Sequence, residues 1–70
     1  MHRQIVSSSN LKSVGYDAAS HILEIEFVGC TVYQYRAVPE AIYRGLMSAS
    51  SKGSYHHSNI KGRYPYTHVA

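Results

Sequence analysis

The sequence predicts an α+β domain: a three-stranded antiparallel β-meander with one face covered by a helix over about residues 39–49 and a shorter second helix over about 51–60. Three observations carry this. His21 to Val28 alternates, with Leu23, Ile25 and Phe27 on one side and Glu24 and Glu26 on the other, which is the two-residue period of a half-buried strand. Turn-forming residues bracket that run at Asp17-Ala18-Ala19-Ser20 and at Gly29-Cys30. After Pro39-Glu40, the apolar residues Ile42, Tyr43, Leu46, Met47 and Ala49 recur at helical spacing.

In chain order, residues 1–7 are expected to be a tail, a single domain spans 8–66, and 67–70 form a second tail. In the first strand Val14 and Tyr16 alternate with Ser13 and Gly15. The third, Thr31 to Arg36, is rich in β-branched and aromatic residues. The pleat constrains the register. A two-residue loop at Gly29-Cys30 would set Glu26 opposite Tyr33 and Ile25 opposite Gln34. A three-residue loop, Gly29-Cys30-Thr31, sets Phe27 opposite Tyr33, Ile25 opposite Tyr35 and Glu24 opposite Arg36. One residue of slip inverts every side chain, so the second arrangement is expected. A four-residue first turn pairs Tyr16 with His21 and Val14 with Leu23. Val14, Tyr16, Leu23, Ile25, Phe27, Tyr33 and Tyr35 then share one apolar face.

The first helix is expected to cover that face. Pro39 suits the first helical position, and Glu40 complements the helix dipole. Ser50 or Ser51 is the expected cap of the second helix, with Gly53 and Ser54 weakening it and Gly62 stopping it. Arg63-Tyr64-Pro65-Tyr66 is expected to be extended, since a residue before proline avoids the helical region.

At 70 residues the chain is one domain with a small core. Cys30 is the only cysteine, so no intramolecular disulfide supports it, and seven tyrosines and one phenylalanine must supply much of the burial. No apolar run is long enough to span a membrane, and Met1 to Ser7 does not look like a signal peptide, so a cytoplasmic setting is expected. The net charge of +3 is unevenly spread. Residues 1–40 carry three cations against four acids, whereas Arg44, Lys52, Lys61 and Arg63 in residues 41–70 face no acid at all. This asymmetry points to an anionic partner, although a solubilising surface has the same composition.

No catalytic pattern emerges. Cys30, His21, His56, His57 and His68 lack zinc-ligand spacing. Cys30 falls in a turn with no base nearby in sequence, and the serines lack a nucleophile signature. Glu24 and Glu26 read as a solvated strand face rather than a catalytic pair. The chain is therefore expected to be neither an enzyme nor a cofactor protein. The distinctive stretch is residues 51–66, which interleaves cations, aromatic rings and small polar residues. Single-stranded nucleic acid is held by such mixtures, phosphates on cations and bases on rings. Tyr55, Ile60, Tyr64 and Tyr66 have a structural alternative, packing the second helix and the tail onto the domain.

Several segments together resemble one family. They are Ser8-Ser9-Asn10-Leu11 followed by Val14-Gly15-Tyr16-Asp17, the Tyr33-Gln34-Tyr35 pair, Val38-Pro39-Glu40, Ser51-Lys52-Gly53, and Asn59-Ile60-Lys61-Gly62-Arg63-Tyr64-Pro65-Tyr66. This combination resembles the KTSC domain, found at the C-terminus of some lysyl-tRNA synthetases and as small stand-alone bacterial and phage proteins. The resemblance implies no established activity, and RNA is the partner suggested for that family. The expected RNA-contacting residues are Lys52, Gly53, Lys61 and Arg63 at phosphates, with Tyr64, Tyr66 and Tyr55 stacking on bases where exposed. Lys52, Lys61 and Arg63 are expected to form one patch. The alternative partner is a protein, met through the uncovered sheet face or an edge strand. A monomer without membrane contact is expected in either case.

Overall fold

The alternating segments pair as an antiparallel meander, and both ends of the chain add a strand to it. The computed structural model describes residues 2–70. The strands are β1 (Gln4–Ile5), β2 (Leu11–Asp17), β3 (Ile22–Phe27), β4 (Thr31–Tyr35) and β5 (Tyr66–His68), in spatial order β1-β2-β3-β4-β5. The sheet thus has five strands, not three. The stretches expected to be tails contribute to its edges: Gln4 pairs with Val14, and His68 with Tyr33. Ala70 continues the β5 edge, its carbonyl accepting the Val32 N–H at 2.8 Å. Strands this short carry no alternation to read; only pairing with a long neighbour makes them strands.

Both hairpins keep the expected parity but sit two residues away from the expected register. Tyr16 pairs with Leu23 rather than His21, and Val14 with Ile25. The second loop is Val28-Gly29-Cys30, so Phe27 faces Thr31, Ile25 faces Tyr33 and Leu23 faces Tyr35. Glu24 therefore lies opposite Gln34, not Arg36. A shift of two leaves every side chain on its original face, which is why the apolar face survives. The turn positions decide the offset: Gly29 (φ 101°) and Cys30 (φ 69°) both take left-handed backbone, and the Cys30 N–H closes the turn on the Phe27 carbonyl.

A β-bulge between Leu11 and Ser13 makes Lys12 the extra residue. Without it, Leu11 would point away from Val14. With it, both are buried in the core at 1% exposure.

The helices are α1 (Glu40–Ser48) and α2 (Lys52–Asn59). Pro39 is the N-cap of α1 in extended backbone, one position before the expected one. Ser51 caps α2, its hydroxyl accepting the Ser54 N–H. Gly62 (φ 77°) turns the chain after α2, with the Arg63 N–H on the Ile60 carbonyl at 3.0 Å. Leu46 and Ile60 are fully buried against Leu11, Val14, Leu23, Ile25, Tyr35 and Val38. The helices form a second layer on the apolar face of the sheet. They meet at Gly45, where the Tyr55 ring lies so close that an added Cβ would be 2.7 Å from its Cζ.

The opposite sheet face is not open to water as the Glu24/Glu26 pattern suggested. Arg3 bonds Glu24 and donates from Nε to the Ser13 hydroxyl at 3.0 Å. Its guanidinium also lies 3.7 Å from Glu26. Gln34 donates to Glu24 at 2.7 Å, and Glu24 is only 7% exposed. Burial pushes the Glu24 carboxyl up, but the hydrogen bonds from Gln34 and Arg3 and the Arg3 charge outweigh it, and the net pKa is lowered.

Candidate functional site

Adding β5 makes the sheet wider than the two helices that cover it. The helices bury the β2–β4 part of the apolar face, while β5 stays exposed along its length. On that face Tyr66 lies opposite Tyr35 and His68 opposite Tyr33. A groove of about 480 Å³ opens between this uncovered strip and α2. Its aromatic wall comes from Phe27, Tyr33, Tyr35 and Tyr66 on the sheet and from His56 on α2. Asn10, Thr31 and Gly53 line it as well, as do His57 and the Lys61-Gly62 turn.

The rings meet edge to face. Phe27 and Tyr33 are 5.7 Å apart at 67°, Tyr33 and Tyr66 5.2 Å at 70°, and Phe27 and His56 5.1 Å at 68°. The Tyr35 hydroxyl joins sheet to helix through His56 Nε2 at 2.8 Å. Burial pushes the Tyr35 phenol up to about 12, with Tyr33 and Tyr66 adding to it. Burial also lowers the His56 pKa, and the nearby Lys61 and His57 charges push the same way. Both groups are thus held neutral near neutral pH, and a neutral imidazole can accept the phenol proton.

Among the described residues, none that lines the groove is acidic. The chain's four acids lie elsewhere: Glu24 and Glu26 are beneath Arg3 and Lys12 on the other sheet face, and Glu40 pairs with Arg44. Asp17 accepts from Ser20 and the Ala19 N–H in the first turn. Among the described residues Lys52, Lys61 and Arg63 pair with no carboxylate. Nor do they group any three histidine, cysteine or acidic side chains in a metal-holding arrangement.

The residues singled out in the sequence separate in space. Lys61, Gly53 and Tyr66 line the groove. Lys52 opens α2 whereas Lys61 follows its last turn, so a helix about 12 Å long lies between them. The expected single patch of Lys52, Lys61 and Arg63 is thereby divided. The Lys52 ammonium is held on the Ala49 carbonyl at 3.2 Å, and Arg63 Nε donates to the Ser58 carbonyl at 3.0 Å. Tyr64 and Tyr55 pack against the core, while Tyr66 is 57% exposed. The Asn10 amide lies against Gly53, where an added Cβ would be 2.7 Å from Nδ2, so this glycine admits a neighbouring side chain. Phe27, Tyr33, Tyr35 and His56 went unrecognised as groove residues. The alternation marked the first three as core, and nothing local distinguishes a core ring from one at the margin of the helical cover.

The sequence profile of the KTSC domain matches residues 7–64. The chain belongs to the KTSC domain family. It is 38% identical over 64 residues to an uncharacterized protein of Stutzerimonas stutzeri, covering 91% of this chain and 90% of that one. It is 36% identical over 62 residues to a lysine–tRNA ligase of Trichormus variabilis, covering 89% of this chain and 11% of the ligase. The crystal structure of a KTSC domain protein from Yersinia pestis superposes with a TM-score of 0.96 at 42% identity, covering 99% of this chain and 97% of that one. The groove therefore sits within a KTSC fold. No helix of the described residues is long and apolar enough to cross a membrane.

Proposed function

We propose that this KTSC domain is a cytoplasmic RNA-binding module rather than an enzyme, and that it holds RNA in the groove between α2 and the outer strands. The observation that supports it is the groove lining: aromatic rings on the sheet side, Lys61 at the helix end, and no carboxylate. Lys61 contacts phosphate, with Arg63 beyond the same end of α2 and Lys52 at its other end. The groove tyrosines meet bases. The lysine–tRNA ligases that carry a similar segment as 11% of their length act with a tRNA, which adds to the case.

The test is a titration of the isotope-labelled domain with tRNA and with short single-stranded RNA across a range of salt. Two to three phosphate contacts on a single strand give a log–log salt slope of about −2. Lys61→Glu should weaken binding to every RNA by similar factors, since phosphate contacts carry little base information. Lys12→Glu, on the opposite sheet face, makes the same charge change and should have little effect. Equal losses from the two variants would leave only bulk charge attraction, and no shift at low salt would end the RNA reading.

A protein partner is the second reading. Ile5 is 81% exposed on β1, whose outer edge is unpaired and open to an added strand. A partner bound through that edge would be nearly insensitive to salt and to Lys61→Glu.

A further inference from the structure

We infer that the groove is a seat for one unpaired nucleotide, with its base against the Tyr33 and Tyr66 rings and its phosphate at the Lys61-Gly62 turn. The inference rests on the RNA-binding reading and specifies what part of the RNA is held. Four observations combine. The groove volume, about 480 Å³, falls in the range of small-ligand sites, so a double helix must stay at its mouth whereas a single nucleotide enters. The sheet side of the groove is aromatic, and Tyr66 at the rim is 57% exposed. A bulky ring exposed beside a groove is the kind of surface a planar ligand covers. The core pair Tyr16 and Tyr43 is stacked, 4.9 Å apart at 9°, so each ring hides a face of the other. Tyr66 by contrast meets Tyr33 at 70° and Tyr35 at 42°, so neither neighbour stacks flat on its exposed ring.

The charge is the fourth observation. Lys61 lines the groove without a carboxylate partner, and no acid lines any wall. A purely apolar ligand would leave that ammonium unmatched, and an acidic peptide would leave the ring faces unmatched. A heterocycle carrying a phosphate matches both. The Asn10 amide and the Thr31 hydroxyl line the same space and supply hydrogen bonds for a base edge. The same chemistry is present in a free nucleotide and in an unpaired residue of a strand, and size alone does not separate them.

The experiment uses the full chain and four probes: adenosine monophosphate, a single-stranded RNA hexamer, a blunt RNA duplex, and an acidic peptide as a charge control. The readouts are affinity and the chemical shifts of the Tyr33, Tyr66 and His56 rings. The expected result is ring shifts with the hexamer and at least tenfold weaker binding of the duplex. Tyr66→Leu should lose about tenfold for the hexamer, with the fold-loss unchanged at high salt, since stacking is not ionic. Tyr66→Phe should keep binding, which separates ring stacking from damage to β5. Ring shifts with the monophosphate but not with any RNA would support the seat and end the RNA reading. Equal binding of hexamer and duplex, weakened by Lys61→Glu but not by Tyr66→Leu, would leave RNA binding intact and overturn the seat. Tighter binding of the acidic peptide, or no ring shifts with any probe, would overturn it too.

Discussion

The Tyr35 hydroxyl and His56 Nε2, 2.8 Å apart, tie the aromatic sheet face to α2 inside the groove. A neutral imidazole can accept the phenol proton at Nε2, whereas a protonated ring can only donate to the phenol oxygen. Desolvation first, then the charges of Lys61 and His57, hold the His56 pKa below its ordinary value. The linkage follows from that direction. The unfolded chain takes up the imidazole proton more readily than the folded one, so the stability present above about pH 6.5 is lost as pH falls through the folded pKa.

Thermal unfolding should therefore show a midpoint that drops from pH 7.5 to pH 5, with a shallower drop in His56→Gln. Tyr35→Phe should cost about 1–2 kcal/mol at pH 7.5, because it leaves His56 Nε2 without its partner. If His56→Gln and wild type respond alike to acid, His56 is not the source of the acid sensitivity.

Gly45 tests the helix contact. Alanine in a helix is ordinarily favoured over glycine by roughly 1 kcal/mol. Here the Tyr55 ring occupies the space a Cβ needs. Gly45→Ala should accordingly destabilise by about 1–3 kcal/mol, the reverse of the propensity effect. Placing it in a Tyr55→Phe background, where the hydroxyl is gone, should recover part of the loss. Denaturant midpoints of the four proteins in this cycle measure the coupling. A stabilising Gly45→Ala would mean that the helices separate at no cost.

Arg3 tests the other sheet face. It bonds Glu24, Glu26 and Ser13 from outside the predicted domain boundary. Arg3→Ala should cost about 1–3 kcal/mol, since Glu24 stays buried after losing its cation. The cost should shrink in a Glu24→Gln background. The Glu24 pKa is lowered in the fold, so the contribution of this cluster is present above the ordinary carboxylate range and fades as pH falls through it. Equal costs of Arg3→Ala in the two backgrounds would show that the ion pair is not the source.

The sequence by itself determined the faces. The alternation of Leu23, Ile25 and Phe27 with Glu24 and Glu26 sets the parity of the meander, and a parity error would expose the whole core, so it is strongly specified. The start of α1 at Pro39-Glu40, the Ser51 cap and the Gly62 stop were legible for the same kind of reason: each is a local chemical requirement of a helix end. What the tertiary structure decided is longer in range. A register offset of two residues leaves every face unchanged, so the pattern could not choose between Tyr16 with His21 and the observed Tyr16 with Leu23. Strands β1 and β5 are too short to carry a period, and they exist because β2 and β4 offer free edges. Arg3 reaches Glu24 across 21 residues and turns an expected solvated strand face into a part-buried ion pair. The groove has the same origin. The different exposures of Tyr33, Tyr35 and Tyr66 depend on how far two short helices reach across a five-stranded sheet, which is a property of the assembled layers and of no local segment.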